Sequence, residues 1–166
     1  ITKPLFFKKT TKLVKLLKKL KFDELKMLMN VSDSLAKLNF QRFKEFDTNL
    51  NESIKPAVFL FSGDTFNGLS IRSIDENLFD YVQDNLRILS GLYGILKPFD
   101  NVQPYRLEMG TNTNLLMNHS LYDFWSDEIT ENLKHDLKQN NSKFLFNLSS
   151  NEYFKSNPKK RKCRIS

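Results

Sequence analysis

The chain has 166 residues, 40% hydrophobic and 13% aromatic, enough apolar material for one buried core. No run of 18 apolar residues occurs and the lysine-rich start leads into an amphipathic stretch, so neither a membrane span nor a secretory signal is expected. The net charge of +7 admits a polyanionic partner, whereas the single cysteine, Cys163, excludes an internal disulfide and fits a reducing cytoplasm.

That charge is unevenly placed. Residues 1–21 carry eight lysines and residues 155–164 six more basic side chains, neither stretch with an acid. Between them, residues 22–154 hold 12 basic against all 19 acidic residues. Ends that converge in space form a patch able to follow phosphates; otherwise these lysines are ordinary solvated surface. The opening at Ile1 and the stop at Ser166 suggest one domain over 1–166, incomplete at both termini.

In chain order, Leu13, Leu16, Leu17 and Leu20 recur at helical spacing from Thr10 onward, with lysines opposite. A short second helix capped by Asp23 carries Leu25, Leu28 and Met29. A third, capped by Ser32, carries Leu35, Leu38, Phe43 and Phe46. AVFLFSG at 57–63 reads as a strand buried on both faces, and Asp64 just beyond it lies where α/β sheets place ligand groups, or in a plain turn. Ile74 and Phe79 bracket Asp75 at the start of a helix whose Leu78, Val82, Leu86 and Leu89 form one face up to Gly91.

Gly91 and Gly94 then separate two apolar stretches. Two readings fit: a helix-hairpin-helix offering backbone amides to a phosphate with Lys97 beside it, or a corner whose glycines permit packing around a core Tyr93. Residues 100–119 lack helical periodicity. Within them Tyr105, Leu107 and Met109 alternate with Arg106 and Glu108, a pair able to hold a polar ligand or each other. A helix from Ser120 directs Tyr122, Trp125, Ile129, Leu133 and Leu137 inward, and FLFNLSS at 144–150 reads as a second buried strand. Beyond it Ser149, Ser150, Glu152, Tyr153 and Lys155 cluster, either beside Asp64 in one cleft or partly as a helix cap. His119 and His135 lack partners at ligand spacing, so no metal and no cofactor is expected, and no recognised catalytic motif is present. The fold class is α/β (mixed α+β), helix-rich with a small central sheet.

LMNVSDSLAKLNFQRF at 28–43, FSGDTFNGL at 61–69, LRILSGLYGILKPFDNVQPYRLEMG at 86–110, LYDFW at 121–125 and NLSSNEYFKS at 147–156 together resemble, in order, the motifs of the YaaA family of peroxide-stress proteins. The resemblance implies a cytoplasmic bacterial protein that limits free intracellular iron, and a fold with a helix-hairpin-helix and a basic cleft that bind DNA without reading sequence. Carried to this chain, the hairpin comprises Leu89, Ser90, Gly91, Leu92, Tyr93 and Gly94 with Lys97, and the cleft draws on Tyr105, Arg106 and Lys155. The competing expectation is an enzyme acting on a small polar or anionic substrate in a cleft of Asp64, Arg106, Glu108, Ser149, Glu152, Tyr153 and Lys155. The family's opening S-P-A-K-T-L block and its later basic segment have no counterpart here.

Overall fold

Helix α1 (Phe7–Leu17) forms because Phe7, Thr10, Leu13, Val14 and Leu17 fall on one face and are buried there. The computed structural model describes residues 2–51 and 54–155, so Cys163 and the basic run after Lys155 lie outside the described residues. Lys9 ties α1 to the later helix α7 (Leu121–Gln139): its ammonium donates to the Phe124 carbonyl at 2.5 Å, pairs with Glu128, and stands 4.5 Å from the Phe124 ring centre.

Helix α2 (Phe22–Met29) starts at Lys21, whose amide donates to the Glu24 carboxylate at 2.7 Å, so the cap lies two residues before Asp23. Asn30 closes it in the left-handed conformation, with φ of 49°. Ser32 stands at the N-cap position of helix α3 (Asp33–Glu45), as its sequence suggests, but its hydroxyl meets Ser34 Oγ at 3.1 Å and makes no side-chain cap hydrogen bond to the helix backbone. Its buried stripe is Ala36, Asn39 and Phe43, whereas Leu35 and Leu38 are exposed. The helix is turned toward α2 by the edge-on packing of Phe22 and Phe40, 6.0 Å between ring centres.

Strand β1 is only Lys55–Pro56, paired antiparallel with β4 (Asn101–Val102). AVFLFSG is not a strand: residues Ala57–Leu60 form the helical turn α4. The amides of Ala57 and Val58 donate to the carbonyls of Asp100 and Pro98, which bends the chain out of the ladder after two residues. Helix α5 (Asp64–Leu69) follows. Asp75 caps a 3-10 turn (Glu76–Leu78), accepting from the Asn77 amide at 3.1 Å, and α6 (Phe79–Asn85) ends well before Gly91.

Strands β2 (Ile88–Ser90) and β3 (Gly94–Leu96) pair antiparallel in the register Ile88 to Leu96, Leu89 to Ile95 and Ser90 to Gly94. This β-hairpin stands where a helix-hairpin-helix was expected: Ile88 and Ile95 are β-preferring, Leu89 and Leu96 add apolar surface, and the tight Gly91–Gly94 turn joins strands. The described residues therefore make a helix-rich mixed α+β fold with two two-stranded ladders in place of one central sheet. Trp125, Tyr93, Phe43, Leu92 and Met109 occupy the core between the hairpin, α1 and α7. Residues 144–150 are not a buried strand: 144–148 are exposed and carry no regular secondary structure on the way to α8 (Asn151–Phe154), and no described strand lies alongside them.

Candidate functional site

Three of the motif segments meet at the hairpin. Trp125 Nε1 donates to the Gly91 carbonyl at 2.9 Å, and the Tyr93 amide donates to Ser90 Oγ at 2.9 Å. The Ser90 and Tyr105 hydroxyls lie 2.5 Å apart, and the Tyr93 hydroxyl accepts from the Gln103 amide at 3.0 Å. A Cβ on Gly91 would lie 2.2 Å from the Leu107 carbonyl oxygen, so the segment 105–109 runs directly against the turn. Gly94 has φ of +77°, and a Cβ there would lie 2.7 Å from the Trp125 ring.

Gly91, Leu92, Tyr93 and Gly94 are all buried. Lys97 is half-buried at the turn after β3, where its amide donates to Asp100 Oδ2 at 2.8 Å. The buried Asp100 also accepts from the Thr2 hydroxyl at 2.5 Å, a role for which its sequence carries no signal.

The alternation in 105–109 matches its burial: Leu107 and Met109 point inward, and Arg106 and Glu108 outward. Arg106 Nη2 donates to Glu108 Oε1 at 2.6 Å, with both side chains about half exposed. Glu152 Oε1 accepts from the Gly110 amide at 2.8 Å, joining the start of α8 to the same strand-like segment. Burial, then the Glu152 and Glu108 carboxylates, push the Tyr153 hydroxyl up to about 12, so it is a proton donor at neutral pH. Lys155 is exposed at the end of α8.

Asp64, Ser149 and Tyr153 line one cavity of about 750 Å³, walled by Phe61, Phe66 and Ile129. Arg87, which the sequence reading did not single out, also reaches it; its guanidinium pairs with Asp136 at 2.6 Å and donates to the Gln83 and Leu86 carbonyls. Arg106, Glu108, Glu152 and Lys155 are not among its lining residues, so the expected cleft divides into a cavity and a neighbouring charged corner with Tyr153 common to both. A third feature is electrostatic. Lys8, Lys12 and Lys15 are exposed along one side of α1 at helical spacing, and Lys19 is exposed in the turn just beyond it.

A small mixed α+β fold, with a glycine hairpin locked against a Tyr-Arg-Leu-Glu-Met-Gly segment, defines the class of protein. The family described as Peroxide stress protein YaaA matches residues 1–165. The chain is 46% identical over 166 residues to a UPF0246 protein of Aliivibrio fischeri (strain MJ11), covering 99% of the chain and 64% of that protein. A UPF0246 protein of Flavobacterium psychrophilum is 46% identical over 154 residues, with 92% and 60% covered, and one of Caulobacter vibrioides is 44% identical over 154 residues, with 93% and 60% covered. The chain belongs to the YaaA peroxide stress protein family. It spans less than two-thirds of the length of these curated relatives. No helix among the described residues is long and apolar enough to cross a membrane.

Proposed function

We propose that this chain serves in the cytoplasmic response to peroxide by holding DNA through its phosphates, and that the lysine face of α1, not the glycine hairpin, makes the contact. The observation that carries this reading is Lys8, Lys12 and Lys15, exposed on one side of α1, with Lys19 exposed in the turn after it, in a stretch of 21 residues without an acid. Lys8 to Lys15 spans roughly 10 Å at 1.5 Å per residue, a distance over which several phosphates of a duplex present themselves. Contacts of this kind position a protein on nucleic acid without reading bases. The association with limiting free iron belongs to the same proposal and is attached to no metal site: among the described residues no group of three or more His, Cys, Asp or Glu could hold an ion.

Duplex binding measured across a salt series tests this. Replacing Lys8, Lys12 and Lys15 by alanine is expected to lower the slope of log K against log salt by about 0.9 for each lysine that meets a phosphate. A slope unchanged by the triple replacement sinks the reading.

A second reading rests on the cavity shared by Asp64, Ser149 and Tyr153 and on the charged corner beside it. Ionisable groups gathered around a concave site suit an enzyme acting on a small polar substrate. Peroxide resistance lost on Asp64→Asn or Glu108→Gln with DNA affinity intact favours this reading; resistance lost with the lysines favours the first.

A further inference from the structure

The chain holds one asparagine followed by glycine, Asn67 and Gly68, in the last turn of α5. Both residues are exposed. The Asn67 carbonyl accepts from the Ser70 hydroxyl at 2.8 Å, but its side-chain amide takes no hydrogen bond among the described residues. At Gly68 no atom stands within 4 Å of the place a Cβ would occupy, so no close packing calls for glycine and the space beside its backbone is open. The helix around the pair is weakly held. α5 spans six residues with none buried, and a helix this short has little stability of its own. Opening it costs little, and once it is open the Gly68 backbone turns more freely than that of any other residue type.

We propose that Asn67 is a site of spontaneous deamidation, converted to aspartate and isoaspartate in the folded protein. With the last turn of α5 open, the Gly68 nitrogen gives up its proton to base in the solvent and attacks Cγ of Asn67. A bond from that nitrogen to Cγ forms, the bond from Cγ to Nδ2 breaks, and the side-chain nitrogen leaves as ammonia with a proton from the solvent. Water then opens the cyclic imide: cleavage at Cγ gives aspartate, and cleavage at the main-chain carbonyl carbon gives isoaspartate. In sum an amide and water become a carboxylic acid and ammonia, and nothing is oxidised or reduced. Either product sets a new carboxylate one turn from Asp64, which lines the cavity. Isoaspartate also routes the main chain through the side chain, an added carbon that breaks the helical repeat of α5. The inference rests on neither the DNA reading nor the enzyme reading.

Incubating this chain in mildly alkaline buffer and mapping isoaspartate peptide by peptide tests it. The peptide bearing residue 67 is expected to gain isoaspartate first, with a matching acidic shift of the intact protein on isoelectric focusing. Gly68→Ala, for which α5 has room, is expected to slow the conversion at least about tenfold, because a side chain on the attacking residue disfavours the near-attack geometry. Isoaspartate that appears first at another asparagine, Asn141 before Ser142 included, overturns the proposal. So does conversion of Gly68→Ala at the rate of the parent chain. Conversion in urea-unfolded chain with none in the folded chain also overturns it, since α5 then shields the pair.

Discussion

Gly91 and Gly94 show how one residue type reads two ways. Flexibility at a turn suits phosphate binding, and the absence of a side chain also lets two backbones touch, as Gly91 and the Leu107 carbonyl do here. Gly91→Ala sets a methyl 2.2 Å from a backbone oxygen that cannot rotate aside, and Gly94→Ala combines a left-handed φ with the Trp125 ring. Each is expected to destabilise the protein by about 1–3 kcal/mol in urea unfolding. Gly68→Ala, in α5 with open space around it, is expected to be neutral or stabilising by up to about 1 kcal/mol. Loss of DNA affinity on Gly91→Ala with stability unchanged would restore the phosphate role.

At the scale of elements, α7 was the most legible in the sequence and α3 less so. Ser120 and Asp123 form a reciprocal cap, the Asp123 amide donating to Ser120 Oγ at 3.1 Å and the Ser120 hydroxyl to Asp123 Oδ2 at 2.6 Å. That hydroxyl, with the Ser120 amide, holds the Asp123 carboxyl below its ordinary range. A lowered folded value means stability present above the unfolded carboxylate value and lost as pH falls through the folded one. Ser120→Ala is expected to cost about 1 kcal/mol at neutral pH and to flatten the acid limb of the stability curve, measured by thermal unfolding from pH 7 to pH 3. In α3, by contrast, Leu35 and Leu38 look like core in a one-dimensional pattern. Phe43 and Phe46, expected in the same stripe, are buried, but the crossing with α2 turns Ala36 and Asn39 inward in place of the two leucines.

For the molecule as a whole, three tyrosines from three segments share one interior. Burial raises the hydroxyls of Tyr93 and Tyr105 well above the ordinary tyrosine range, and that of Tyr153 to about 12. Raised folded values leave the native state holding protons that the unfolded chain releases, so stability is full below about pH 10 and falls above it. Urea unfolding between pH 8 and pH 11.5 is expected to show this fall, at most about 1.4 kcal/mol per pH unit for each such tyrosine. Tyr105→Phe is expected to make it shallower; an alkaline limb of the same slope in that variant contradicts the assignment.

The sequence by itself determined the helices whose apolar spacing leaves a single way to bury them, the alternation of 105–109, and the family, because those depend on local periodicity and ordered motifs. Only the tertiary structure decided the fate of the apolar runs at 57–63, 88–96 and 144–150. Each is rich in apolar residues, and each became something different: a helical turn tied to the 98–100 turn, a hairpin packed on Trp125, and an exposed irregular stretch. Backbone pairing and packing partners lie far away in sequence, and a run of hydrophobic residues carries no record of which partner will arrive.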